Sequence, residues 1–353
     1  MTAETTLRTG GGFLVVGIAG PELAAEERAI LEALRPFGVI LFKRNVASAE
    51  QVVALTTEVR AASPATLLFV DAEGGRVDRL AGIVGSAPAA ADLAAAPPAL
   101  ARRAGRWVGH ALRALGFDVD FAPVVDLDRG FTGNGLEGRY LGSQPRAVTA
   151  RARAFLAGLR AAGVGGCVKH FPGLGGSGED THHEGTRVTL SAAELEADLE
   201  PYRALAGAAG AVMLSHGVYP ALDPETLPAD FSPAIARRLL RRDLGFEGAA
   251  FSDDLEMEAL APFGSLADRA ERAFLAGCDA IPICSLLDAA PEAAERLARV
   301  KPARRAEARR RLAAYRDGFL ASRRSLRPPR LEVVRARLAA VRAAATPATA
   351  SSR

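Results

Sequence analysis

Short apolar runs rich in β-formers recur along the chain, at residues 13–18, 39–42, 66–70, 119–125, 165–168, 211–215, 248–252 and 280–283, eight in all. Between them, residues 22–34, 49–60, 146–162, 192–206, 233–242 and 266–275 space their apolar side chains as helices do. Strand and helix alternate throughout. Consecutive parallel strands need a crossover long enough to return to the same edge, so this alternation produces a parallel sheet covered by helices. Eight strands in about 290 residues predict the α/β class and a closed (β/α)8, TIM-like barrel over an open doubly wound sheet.

In such a barrel the chemistry sits where strands end and the next loops begin. Several apolar runs end in polar residues: Val70 leads into Asp71, Val125 into Asp126, Val168 into Lys169 and His170, Ser215 into His216, and Ser252 into Asp253 and Asp254. Long loops at 71–96, 126–145 and 169–190 are candidate binding loops. Residues 1–12 are expected to be a flexible N-terminus and 13–290 the barrel. Residues 291–342 read as a helical C-terminal extension packing on it, and 343–353 as a disordered tail.

The balance of 44 Lys and Arg against 41 Asp and Glu demands no nucleic-acid partner, and the basic stretch 304–324 reads as a solvated helix face. Cys167, Cys278 and Cys284 lie in or beside apolar runs, as reduced core thiols do, which favours a reducing compartment. No stretch approaches the roughly eighteen apolar residues of a membrane span, and no signal core follows the N-terminus, so a cytoplasmic protein is expected.

Breaking a glycosidic bond by double displacement needs a carboxylate beneath the anomeric carbon and a proton donor above the leaving oxygen. Asp253 and Asp254 are candidates for the first role, and alternation along a strand lets only one of them face the barrel mouth. Either could instead cap the helix expected near Leu255. The loop 169–183 places Asp180 two residues from His182 and three from His183, and a carboxylate can orient an imidazole and tune its basicity. A solvent-exposed polar loop would look the same. Its Gly173-Leu174-Gly175-Gly176-Ser177-Gly178 does not open a helix, as a dinucleotide fingerprint must, and Asp180, His182 and His183 are a weak metal signal. The segment 71–79 carries Asp71, Glu73, Arg76, Asp78 and Arg79, the residue types that grip vicinal hydroxyls, or that pair with each other in a surface turn.

Taken together, the segments 38–45, 71–79, 121–126, 169–182, 212–216 and 251–257 resemble glycoside hydrolase family 3, in particular its single-domain bacterial β-N-acetylglucosaminidases of the NagZ type. The resemblance covers most of residues 13–290. It implies Asp253 rather than Asp254 as nucleophile, His182 rather than His183 as acid/base, and Asp180 as the partner of His182. It implies sugar binding by Asp71, Arg79, Arg139, Lys169 and His170, with no metal or organic cofactor. The implied substrate is a terminal N-acetylglucosamine on peptidoglycan fragments, cleaved with retention in cell-wall recycling by a protein expected to be monomeric. This chain departs from the family's usual pattern at Leu174, where His is common, at Gly176-Ser177-Gly178, where acids are common, and at Ala72, where Gln is common.

Overall fold

The computed structural model describes residues 2–178, 186–323 and 327–346. Eight parallel strands form its centre: β1 (Leu14–Gly17), β2 (Gly38–Leu41), β3 (Leu67–Val70), β4 (Val119–Asp120), β5 in two segments (Gly165–Gly166 and Val168–Phe171), β6 (Ala211–Leu214), β7 (Ala249–Phe251) and β8 (Ile281–Ile283). Six of them pair in the order β8-β1-β2-β3-β4-β5, and the second segment of β5 continues through β6 to β7. A parallel bridge between Phe251 and Ala280, with Ser252 N–H donating to Ala280 O at 3.1 Å, joins β7 to β8 and completes the ring. The predicted barrel is present; half of the expected strand ends are shortened by one residue, the run 119–125 pairs as a strand only over Val119–Asp120, and β5 runs on to Phe171.

Phe69 of β3, Phe121 just past β4 and Phe251 of β7 fill the interior. Their ring centroids lie 5.0–5.9 Å apart in tilted and edge-on contacts. Strand contact elsewhere is so close that only hydrogen fits: a Cβ on Gly17 would lie 1.7 Å from the Cys284 carbonyl oxygen. Gly17→Ala is therefore expected to spread β1 from β8 and destabilise the protein by roughly 1–3 kcal/mol, read as a lowered thermal midpoint.

Residues 2–12, expected to be flexible, instead contain helix α1 (Ala3–Gly11), capped by the Thr2 hydroxyl and packed through the buried Gly10 and Gly11 against Ala294 and Leu34. Its few apolar side chains hide it from a periodicity argument, because glycine backbone makes the contact. The outer helices include α2 (Ala25–Leu34), α3 (Ala49–Ala62), α4 (Pro98–Ala114), α5 (Pro145–Ala161), α6 (Ala192–Leu205), α7 (Leu266–Ala276) and α8 (Ala290–Arg299). Residues 234–243 wind as a wider π-helix.

Two further helices, α9 (Pro302–Leu320) and α10 (Leu331–Ala345), follow. From α9, Tyr315 closes the barrel floor, its hydroxyl donating to Gly166 O and its ring standing 6.1 Å from Phe251. Arg304 of α9 donates to the buried Asp279 at 3.0 Å, and Arg311 lies 3.5 Å from the same carboxylate. Just beyond α9, Arg323 pairs with the buried Asp118, which Arg60 meets from its other oxygen at 2.7 Å. Helix α10 carries the chain to Ala345, three residues into the segment expected to be a disordered tail. No described helix is long and apolar enough to cross a membrane.

Candidate active site

The strand ends surround one cavity of about 320 Å³, lined by residues following β2, β3, β4, β5, β6, β7 and β8. Asp71, Arg79, Arg139, Lys169, His170 and Asp253, all singled out from the sequence, line it together. Asp180 and His182 lie outside the described residues, as does His183.

Past β3 the chain turns back as a short antiparallel hairpin, Ala72–Gly74 against Val77–Asp78, which swings Glu73 into the cavity wall. Glu73 is buried and binds two cations. Arg139 reaches it with two parallel bonds, Nε to Oε2 at 2.8 Å and Nη2 to Oε1 at 2.9 Å, and Lys169 Nζ stands 2.7 Å from Oε1. Burial would raise the Glu73 carboxyl, but Lys169 and Arg139 overcome it and hold the group at about 2. Lys169 also donates to Asp71 Oδ1 at 2.8 Å, while Arg79 approaches the other Asp71 oxygen at 3.8 Å. Although buried, Lys169 is kept cationic by Asp71 and Glu73. The wall is thus a braced alternation of charges, each carboxylate fixing a donor that faces the cavity.

His170 is set by Asp126, whose carboxylate lies 2.7 Å from Nδ1. The same carboxylate accepts from the His170 and Leu174 backbone N–H groups, so it fixes both the ring and the start of the following loop. Leu174 lines the cavity as an apolar wall. Nearby, a Cβ on Gly175 would sit 1.9 Å from Leu127 O, so the loop's first turn accepts only glycine there. Ser177 caps that turn by donating to Leu174 O, and its own carbonyl accepts from Asn134 Nδ2 at 3.1 Å.

The adjacent acids after β7 have different surroundings. Burial pushes the Asp253 carboxyl up, yet the facing His216 and His170 outweigh it and the group ends below its usual range. One Asp253 oxygen accepts from the Asp254 N–H at 2.9 Å. Asp254, beside Cys284 and Glu256, is raised to about 6 by burial and by the Glu256 charge. An ionised carboxylate facing cations is what a nucleophile requires, and Asp253 has that setting. The helix that either acid could have capped does not follow; residues 254–257 make a turn in which Asp254 Oδ1 accepts from Glu256 N.

His216, noted only as a polar residue at a strand end, proves buried in the cavity wall beside Asp253. Burial works against its charge, but Asp230, 2.9 Å from Nδ1, together with Asp253 and the Asp254 carbonyl, raises it to about 9. Glu73 enters the sequence reading only as one of the charged residues of 71–79, and Asp126 and Asp230 have no assigned role there. Asp126 directly follows an apolar run, a signal present in the sequence; Asp230 lies in a loop after β6 with no such mark.

The family model described as "Glycosyl hydrolase family 3 N terminal domain" matches residues 6–313. A β-hexosaminidase of Alkalilimnicola ehrlichii is 43% identical over 290 residues, covering 79% of this chain and 82% of the relative. One from Stenotrophomonas maltophilia is 40% identical over 282 residues, covering 77% and 83%. Among solved structures, NagZ from Neisseria gonorrhoeae in complex with N-trifluoroacetyl-D-glucosamine superposes with a TM-score of 0.80 at 33% identity, covering 94% of this chain and 97% of that one. A family 3 β-N-acetylglucosaminidase from Paenibacillus sp. FPU-7 gives 0.86 at 30% identity, covering 97% and 69%. With a strand-end cavity of paired carboxylates and cations inside a matched span of this extent, the chain belongs to glycosyl hydrolase family 3 and is a glycoside hydrolase.

Proposed function

We propose that the protein is a retaining exo-β-N-acetylglucosaminidase that removes terminal N-acetylglucosamine from peptidoglycan fragments in cell-wall recycling. The observation that carries the reading is the Asp253 carboxylate, held ionised at a strand end and facing the sugar-sized cavity. The names of the relatives, β-hexosaminidase and β-N-acetylglucosaminidase, support the choice of amino sugar.

Asp253 attacks the anomeric carbon while His182, oriented by Asp180, protonates the leaving oxygen. His182 then takes a proton from water, which displaces Asp253 from the same face that the aglycone left. Asp71, Arg79, Arg139, Lys169 and His170 hold the sugar hydroxyls, the cations donating and Asp71 accepting. No step calls for a metal or organic cofactor. The three buried free thiols support residence in a reducing cytoplasm, where the protein acts as a monomer on soluble muropeptides.

Two displacements at one carbon preserve configuration. Proton NMR of a fresh digest of p-nitrophenyl N-acetyl-β-glucosaminide is expected to show the β-anomer of N-acetylglucosamine first, with the α-anomer growing in by mutarotation. Initial α-anomer would overturn retention, and accumulation of a sugar 1-phosphate in phosphate buffer would overturn hydrolysis.

A further inference from the structure

We propose that His216 is a positioning residue for Asp253, an imidazolium wedged between the Asp230 carboxylate and the Asp254 carbonyl that fixes the turn bearing the nucleophile. The proposal rests on the reading of Asp253 as nucleophile and extends it to two residues that the reaction itself does not touch.

The geometry forms a relay. His216 follows β6 with its ring buried; Nε2 is 2.7 Å from the Asp254 carbonyl oxygen, and Nδ1 is 2.9 Å from Asp230 Oδ2. A carbonyl oxygen only accepts, so Nε2 carries hydrogen. The carboxylate on the other side favours hydrogen on Nδ1 as well, although that contact is skewed, an ion pair more than a straight hydrogen bond. Asp230 is fully buried, and its backbone N–H reaches back to Ser215 O at 3.3 Å, so both partners hang from the end of one strand.

At the far end, residue 254 is held on both sides. Its carbonyl accepts from His216, and its N–H donates to Asp253 Oδ1 at 2.9 Å. Rotating that segment would swing the donor off the nucleophile, and the His216 bond opposes the rotation. The imidazolium also places a positive charge beside Asp253. Among the described residues the charged and titratable groups around it are Asp230, Asp253 and Asp254, with Lys169 and His170 in the same cavity lining. A cation there keeps Asp253 ionised before attack and favours its departure as carboxylate when water cleaves the glycosyl ester.

Position and charge separate in two variants. His216→Phe removes both; Asp230→Asn keeps the shape and an Nε2–H donor but takes away the anion that sustains the charge. On p-nitrophenyl N-acetyl-β-glucosaminide, His216→Phe is expected to lose about 100-fold in kcat/KM, within the range seen when a supporting partner of a site residue is removed. Asp230→Asn should lose less, and in it the acidic limb of the kcat/KM profile should move upward by about one pH unit as Asp253 loses its facing cation. With a dinitrophenyl leaving group, which makes ester cleavage limiting, kcat should fall in both.

Should His216→Phe fail to fold, judged by its thermal midpoint, Asp230→Asn still decides through the acidic limb. Folded variants within twofold of the parent on both substrates, with an unmoved acidic limb, would overturn the role of His216. Parent-like activity in Asp253→Ala would instead overturn the nucleophile assignment, and this proposal with it.

Discussion

Asp253→Ala is expected to lower kcat on p-nitrophenyl N-acetyl-β-glucosaminide by about 10⁴-fold or more while leaving the thermal midpoint near that of the parent, the scale on which removal of a catalytic nucleophile acts. The large loss follows from the surroundings. Asp253 alone of the two adjacent acids is kept ionised by facing imidazoles, whereas Asp254, raised to about 6 and turned toward Cys284 and Glu256, is poorly set to substitute for it. Asp254→Asn should therefore cost far less. Azide should restore turnover in Asp253→Ala by entering the vacated space, and the product should be the α-glycosyl azide, because only one displacement then occurs. Equal activities of Asp253→Ala and the parent would remove the mechanism.

The second large effect is on stability. Glu73→Ala leaves Lys169 and Arg139 buried without the carboxylate between them, and breaking a buried ion pair from one side typically costs about 3–5 kcal/mol. A fall of several degrees in the calorimetric midpoint is expected. The sign with pH can be worked out. A carboxyl depressed to about 2 from an ordinary 4.5 contributes stability that is complete above pH 4.5 and drains away as pH falls toward 2. The span is worth about 3 kcal/mol as an order of magnitude, so the parent's midpoint should drop steeply below pH 4.5 and that of Glu73→Gln less steeply. Parallel pH curves for parent and variant would contradict this account.

These residues also show what the sequence can reveal. Strand ends were legible because apolar runs stop abruptly at Asp71, Lys169 and Asp253, and barrel geometry turns such stops into a shared rim. Glu73 sits three residues past the end of β3, where periodicity carries no information; only the hairpin, formed across Gly74 and Gly75, turns it inward between the two cations. Asp230 is further from legibility, since its pairing with His216 depends on a loop returning over β6 from fourteen residues away. The helical start at α1 escaped for another reason: its packing surface is two glycines, which hydrophobic patterning does not register. Choosing Asp253 over Asp254 needed the resemblance at first; the contrast between His216 and His170 on one side and Glu256 on the other gives a physical ground for the same choice.

The floor of the barrel carries a consequence for how the chain is made. Asp279 is fully buried and meets Arg241, Arg304 and Arg311, the last two from α9, while Asp118 needs Arg323 beyond it. During synthesis, β8 leaves the ribosome before α9 does. Until α9 follows, Asp279 lacks two of its three guanidinium neighbours and the ring has no Tyr315 beneath it. The barrel is therefore completed only once α9 has followed β8, and a nascent chain stopped before α9 would hold open a base that the folded protein keeps sealed.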